Sequence, residues 1–338
     1  MSTILHYHRG RVALHAILRA LHVSAGDEVV VPAYTCAAVV EPLLRLGITP
    51  VWADIDRVTL SPVDLAGQLT ERTRAVIVQH TFGYPAPFEE LAVPVVEDCT
   101  HLGPGSIDAG KRGVAAFWSY GWGKPVFAGL GGTAVVHDPA LAAEMQTRYA
   151  MYANPPATRE LLTAGLIAAG LGVPWRLRPH CRRVTGVRPT DQEYGWRMSR
   201  TALLRLPGRV MAARRDLDVR RKVLTAYETG LDRIGVLHHP RPGPGAVPLR
   251  LPVRVFGKDS VLREAAEAGV ELGGWFRTPV HPLTGDDLAA AHYRKGSCPN
   301  AEWAANHLVT LPIRSSLRPS DVDRAIRFFG RLKAKGHV

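Results

Sequence analysis

Lys124 stands in Phe117-Trp118-Ser119-Tyr120-Gly121-Trp122-Gly123-Lys124 and is followed by Gly129, Gly131 and Gly132. The chain has only seven lysines among its 42 basic residues, so a lysine in a turn of glycines and aromatics is not there for charge, which arginine supplies elsewhere. A lysine amine condenses with an aldehyde, gives way to an incoming amine and then carries a proton. Asp98 ends the run Val93-Pro94-Val95-Val96-Glu97-Asp98, and its alternation sets it on the face opposite to Glu97. A carboxylate there can hold a pyridine nitrogen protonated and make the ring an electron sink; it can also simply cap a turn. Ser119, five residues before Lys124, can offer a hydroxyl to a phosphate. Arg9-Gly10-Arg11-Val12-Ala13-Leu14 opens a helix whose free N–H groups form an anion site, with the Arg11 guanidinium beside them. Lysine, carboxylate and phosphate donors together are what pyridoxal 5'-phosphate (PLP) requires.

The elements needed to position these groups are legible as an alternation. Helical patterns at 11–22, 37–46 and 60–69 alternate with strand-like runs at 28–31, 49–53, 75–79, 94–97, 115–119 and 132–136. This predicts an α/β domain with a mostly parallel sheet, helices on both faces and ligands at the carboxyl ends of the strands. Asp98 and Lys124 both fall just beyond strand-like runs, on that side. Residues 139–173 read as helical with an interruption at Asn154-Pro155-Pro156, and the Arg/Pro-rich stretch 174–190 reads as an excursion. A long helix is expected over 199–230, a loop over 239–247 and a last amphipathic helix from about Pro319. The expected division is a large cofactor-binding domain, 1–205, and a smaller C-terminal α+β domain, 206–338.

Composition narrows the class. At 338 residues, 46% hydrophobic and 21% charged, the chain reads as a folded globular protein. Its net charge of +12 suits anionic ligands, but no basic tract with interleaved aromatics resembles a nucleic-acid module. Cys36, Cys99, Cys181 and Cys298 lack CxxC spacing, so no metal site is expected and free thiols in a reducing compartment are. No signal-peptide pattern or membrane-length apolar run is present; the longest candidate, 161–173, is too short and suits a subunit or domain surface. The expectation is a cytoplasmic protein that binds neither nucleic acid nor membrane.

The order of Val30-Val31-Pro32-Ala33-Tyr34-Thr35, the segment 47–56, His80-Thr81-Phe82-Gly83, Glu97-Asp98-Cys99-Thr100-His101, the segment 119–124 with Gly131-Gly132, and Cys298-Pro299-Asn300-Ala301-Glu302 resembles the DegT/DnrJ/EryC1/StrS family over nearly the whole chain. The resemblance implies a fold-type I PLP enzyme, usually a homodimer with shared active sites. Such an enzyme moves an amino group from a donor such as glutamate or glutamine to a ketone on a sugar, cyclitol or related intermediate. It implies Lys124 at the Schiff-base position, Asp98 at the pyridine nitrogen, Ser119 with Gly10, Arg11 and Val12 at the phosphate, and His101 near the ring hydroxyl, where a glutamine is common. His101 also reads as a plain buried histidine.

Three positions depart from the family pattern. Arg11 replaces a small hydroxyl residue, Cys36 an aromatic that stacks on the ring, and Gly195 an asparagine given by the partner subunit. The Arg11 guanidinium is expected to supply the phosphate contact of that asparagine. The phosphate turn lies close to residue 1, so the leading segment that commonly helps shape the pocket in many relatives is not expected here. A lyase, cyclase or exchange reaction, or a cofactor-binding regulator, is therefore an alternative. Arg277 or His281, in Trp275-Phe276-Arg277-Thr278-Pro279-Val280-His281-Pro282, can reach substrate or belong to an ordinary loop. Tyr34 and Trp122 can pack or line the pocket, and the Cys298 segment reads as structural, with Glu302 capping or pairing.

Overall fold

A computed structural model describes residues 2–105, 109–172, 190–243 and 245–338. Its main sheet contains β1 (Thr3–Tyr7), β2 (Glu28–Pro32), β4 (Thr49–Ala53), β5 (Thr73–Gln79), β6 (Val95–Asp98), β7 (Ala115–Ser119) and β8 (Gly132–Val136). The order across the sheet is β1-β8-β7-β6-β5-β2-β4. Neighbours from β4 to β7 run parallel, while β8 lies antiparallel to both β7 and β1. Parallel strands covered on both faces need continuous apolar runs, and Val29-Val30-Val31 in the fully buried β2 is one.

One face is covered by α1 (Gly10–Ala20), α2 (Ala37–Arg45) and α3 (Pro139–Ala150). In α1, Val12, Leu14, Ile17 and Leu18 are fully buried, each giving about 1.5–3 kcal/mol of burial energy. That anchorage fixes where the start of α1 meets the sheet. Because the parallel strands all point one way, Pro32, Gln79, Asp98 and Ser119 end at the same rim.

The mixed edge was not expected from the sequence, since β1 is a short strand that pairs only with β8. The helix expected over 60–69 is instead extended, with a single 3-10 turn at Ala66–Gln68. Left-handed Leu60 and Asp64 (φ 57° and 52°) flank Pro62 and prevent a helix. Over 139–172 the chain forms α3 and α4 (Ala157–Gly172), parted at Asn154-Pro155-Pro156 as expected. Val173 and the stretch 174–189 of the expected excursion, including Cys181, lie outside the described residues. The long helix expected over 199–230 is two helices, α5 (Arg200–Arg215) and α6 (Leu217–Arg233). They are separated at Asp216, whose carboxylate accepts a hydrogen bond from Ser315 at 2.6 Å. The 205/206 division falls within α5.

Further along, β9 (Arg250–Arg254) pairs antiparallel with β11 (Leu308–Pro312) against α6, α7 (Lys258–Glu267) and α10 (Pro319–Ala334). Two residues of β10 (Val280–His281) pair with β3 (Thr35–Cys36), which clips this part of the chain onto the rim of the main sheet. After the short α8 (Gly285–Ala290), the helix α9 (Pro299–His307) starts against the Asp54 carboxylate, which accepts the N–H groups of Asn300 and Ala301 at 3.0 and 2.9 Å. Glu302 accepts from Tyr293 Oη and from the Gly296 N–H. The Cys298 segment is thus a capped, cross-tied junction, in line with its structural reading. Among the described residues no helix is long and apolar enough to cross a membrane.

Candidate active site

Asp98, at the end of β6, is 2% exposed, and its Oδ1 accepts the Thr100 N–H at 2.9 Å. Burial pushes its pKa up, and the positive charge of Lys124 pulls against that. A buried carboxylate of this kind needs a cation beside it, which a protonated ring nitrogen would supply. Glu97 faces the other way, as alternation predicts. It accepts the N–H groups of Gly110, Arg112 and Gly113 at 2.7–2.8 Å and a hydrogen bond from His80 Nε2 at 3.0 Å. His80 Nδ1 accepts the Ala86 N–H, which sets the tautomer. Although His80, Glu97 and Cys99 lie together, the acid and the imidazole are taken up in clamping the 110–113 loop.

Lys124 sits half-buried in the turn closed by its own N–H to the Gly121 carbonyl. Its charge acts on both Asp98 and His101, so the two expected ring contacts and the expected imine lysine share one electrostatic environment. Trp122 meets Phe127 edge-to-face at 5.1 Å and stays partly buried.

Ser119 ends β7 and pairs with Gly132, which also pairs with Tyr7 at the end of β1. The start of α1 is pressed into this corner. A Cβ on Gly10 would stand 2.8 Å from Ser119 Cβ and 3.1 Å from the Trp118 carbonyl, and one on Gly132 would stand 2.4 Å from the backbone of Arg9 and Gly10. Glycine is required at both positions for the helix end to reach Ser119. No side chain caps this end of α1. Aligned N–H groups beside a hydroxyl make a cradle for a phosphate.

The three residues of the turn divide their tasks. Gly10 provides close approach, and Val12 gives its side chain to the core and its N–H to the Arg9 carbonyl. The Arg11 guanidinium pairs with Glu41 of α2, whose other oxygen accepts from Tyr194 Oη at 3.1 Å. Arg11 therefore meets the cradle with its backbone, while its side chain is turned to a carboxylate. Gly195 lies in the segment 195–198, next to Tyr7 and His8, and a Cβ there would meet nothing within 4 Å.

His101 is buried, and its Nδ1 accepts the Phe82 N–H at 3.2 Å, which leaves the hydrogen on Nε2. Burial and the charges of Lys124 and Arg250 hold its pKa well below the usual histidine range, so it is a neutral donor. The rings of Phe82 and Phe276 lie nearly parallel to it, with centroids 6.0 and 6.3 Å away. Tyr34 completes the cluster: its hydroxyl bonds the Trp275 carbonyl and accepts the Phe276 N–H, so it is a tie as well as a wall. Tyr34 and Phe82 are held at φ 64° and 54°, a conformation that aromatic residues adopt only under constraint.

Cys36 is joined by register to His281, whose ring lies 5.9 Å from Phe276. Of the two residues singled out in the 275–282 stretch, His281 enters the site, while Arg277 is exposed and paired with Asp259 at 3.0 Å. Phe276 was missed from the sequence, because it lay in a noted segment without a distinguishing pattern.

Comparison with known proteins identifies the family. The sequence profile of the DegT/DnrJ/EryC1/StrS aminotransferase family matches residues 5–329. A GDP-perosamine synthase of Escherichia coli O157:H7 is 34% identical over 145 residues, which is 39% of this chain and 40% of that protein's length. A pleiotropic regulatory protein of Geobacillus stearothermophilus is 26% identical over 91% of this chain and 79% of its own. The crystal structure of the aminotransferase TlmJ from Streptoalloteichus hindustanus superposes with a TM-score of 0.71 at 25% identity, covering 98% of this chain and 86% of that one. With the family profile matched across nearly its whole length, the chain belongs to the DegT/DnrJ/EryC1/StrS aminotransferase family and is a PLP-dependent aminotransferase.

Proposed function

We propose that the protein transfers an amino group from an amino acid, glutamate or glutamine, to a ketone on a sugar, cyclitol or related biosynthetic intermediate. The observation that carries this reading is the convergence of Lys124, buried Asp98 and neutral His101 at one rim, beside a helix end that only glycine allows to touch Ser119. These residues fit PLP: the Gly10 turn and Ser119 would hold the phosphate, Asp98 the ring nitrogen and His101 the ring hydroxyl. When bound, PLP supplies an electron sink for the amino-bearing carbon. Lys124 would hold the cofactor and then move the proton at the reacting carbon. Asp98, kept out of water, would preserve the charge on the ring nitrogen. The Phe82, Phe276 and Tyr34 rings exclude water from the proton-transfer region.

A GDP-perosamine synthase among the relatives supports a sugar acceptor. The retained lysine supports turnover rather than a purely regulatory role. Exposed Leu161 of α4 and Leu203, Leu204 and Met211 of α5 support a subunit surface there, and a homodimer with shared sites is the proposed assembly. Unpaired Cys36, Cys99 and Cys298 support a reducing, cytoplasmic setting. The domains are taken as 1–205 and 206–338.

An absorbance spectrum of the purified protein with PLP tests the reading. An imine band is expected that disappears on adding glutamate or glutamine alone. No band after PLP addition, or a band indifferent to every amino donor, overturns it.

A further inference from the structure

A cavity of about 330 Å³ lies between the loop that follows β4, the residues leading into β9 and the helix α9. None of its walls belongs to the residues assigned to the cofactor. Leu60, Pro252 and Leu308 are buried at its base, while Val58 and Leu237 are 59% and 64% exposed at its mouth. Two guanidinium groups converge on Trp303 in its wall. The guanidinium carbons of Arg57 and Arg254 stand 5.2 and 5.3 Å from the centre of the indole. His307, one turn along α9, stacks on the same indole at 5.0 Å and 12°, which holds the ring in place.

Both arginines are fixed in position, yet among the described residues neither forms an ion pair. Arg57 Nε donates to Asn300 Oδ1 at 2.7 Å, at the capped start of α9. Arg254 is set by the register of β9 with β11, and its guanidinium carbon also lies 5.2 Å from the centre of the Phe256 ring. Its Nε is closed off from solvent without a hydrogen-bond partner. The acids beside Arg57 in sequence are occupied: Asp54 accepts the N–H groups of Asn300 and Ala301, and Asp56 those of Val58 and Thr59. The histidines of the wall are occupied as well. His239 faces the carbonyls of Thr59 and Pro240 at 2.9 and 2.8 Å, and His238 faces the His239 carbonyl and Asp232 at 2.7 and 3.0 Å. Arg241, Arg277 and Arg314 each have a carboxylate, from Asp232, Asp259 and Glu271. Arg57 and Arg254 thus bring two positive charges to one half-apolar cavity without a counter-charge among the described residues.

We propose that this cavity binds a small aryl anion, a carboxylate or phosphate monoester carried on an aromatic ring, apart from the Lys124 site. The anionic oxygens answer two guanidinium groups, each with planar N–H donors arranged as a fork. Arg254 gains most, because a charge shut from water without an opposite charge is unfavourable. The aromatic ring completes the rest of the wall, where Leu60, Pro252 and Leu308 exclude water and the flat indole and guanidinium groups accept a stacked ring. A bare inorganic anion would leave the apolar base facing water, and a neutral aromatic would leave the charges unmet. The volume stands at the small end of ligand pockets, which run from about 300 to 1,000 Å³, so the occupant is compact.

The test is calorimetric titration of the PLP-loaded enzyme, in which the cofactor already fills the phosphate cradle, with phenyl phosphate and with benzoate. Inorganic phosphate, acetate and phenol each carry only one half of such a ligand. Wild type is expected to bind at least one aryl anion roughly tenfold or more tightly than either of its halves. Arg254→Gln should weaken that binding roughly tenfold or more, and the more exposed Arg57→Gln about threefold or more. Arg277→Gln removes an equal charge elsewhere and should stay within about twofold of wild type. No binding of either aryl anion to wild type, equally tight binding of a half, undiminished affinity in either the Arg57 or the Arg254 variant, or an equal loss in Arg277→Gln overturns the proposal. Should Arg254→Gln fail to fold through loss of its ring contacts, Arg57→Gln decides: weaker binding supports the site, and unchanged binding overturns it. The readout is binding rather than turnover, so an imine band that no amino donor bleaches refutes the aminotransferase reading and leaves this result standing.

Discussion

Replacing Gly10 with alanine tests the phosphate cradle most directly. The new Cβ would stand 2.8 Å from Ser119 Cβ and 3.1 Å from the Trp118 carbonyl, against a carbon–carbon contact optimum of about 3.5–4.0 Å. Neither neighbour can give way easily, since β7 is held by β6 on one side and by β8 on the other. The start of α1 must therefore retreat by roughly 0.5–1 Å, against the anchorage of Val12, Leu14 and Ile17. Overpacking of this kind costs about 1–3 kcal/mol, offset by up to ~1 kcal/mol from alanine's better helix propensity. The cofactor should feel more. A shift of that size takes an N–H···O contact out of hydrogen-bonding range, and losing one bond to a charged phosphate costs about 1.5–3 kcal/mol, or roughly 10- to 150-fold in affinity. PLP affinity is read by titrating the imine band, and the unfolding midpoint of the cofactor-free protein is measured separately. An affinity within about twofold of wild type in the Gly10→Ala protein would refute the cradle.

Three further outcomes follow from the site and its surroundings. Arg11→Ala should lower stability by up to about 1 kcal/mol through loss of the Glu41 pair, yet weaken PLP binding less than Gly10→Ala does. A loss of affinity as large as that of Gly10→Ala would instead place the guanidinium on the phosphate. Asp98 keeps its proton to higher pH in the folded, cofactor-free protein than in the unfolded chain. Its contribution to stability therefore falls as pH rises from 3.8 through its raised value, opposing the rise that Asp56, Glu97 and Glu160 give with their lowered pKa values, and the thermal stability of cofactor-free Asp98→Asn should climb more steeply with pH across that window than that of wild type. Lys258 donates to the Phe276 and Ala305 carbonyls at 2.8 and 2.7 Å, and burial lowers its pKa from 10.5 to about 7. The unfolded chain then holds the extra proton between those values, so stability should rise with pH across that window. Lys258→Met should remove the rise, and urea midpoints at low and high pH would show whether it does.

Sequence alone gave the alternating α/β pattern, because fully buried strands must be continuous apolar runs and the helices between them must each carry one apolar face. It also singled out Asp98, Ser119, Lys124 and Gly10, since a lysine among glycines and a carboxylate closing an apolar run are unusual choices of residue. Local patterns failed where the backbone departs from them. Leu60 and Asp64 are left-handed around Pro62, and the short strand β1 takes its identity from the edge it joins.

Only the tertiary structure decided which way the charged side chains turn. Arg11 and Arg250 look alike along the chain, yet α2 presents Glu41 to the first, while the docking of β9 and the 273–275 loop lays the second against the Trp275 ring. The same holds for Phe82 and Phe276, 194 residues apart and brought to ring centroids 5.8 Å from each other. Residue type and spacing determine the chemistry a chain can hold, because they fix the functional groups and the local backbone. Which groups share one desolvated space depends on contacts between distant segments, and those contacts exist only in the folded molecule.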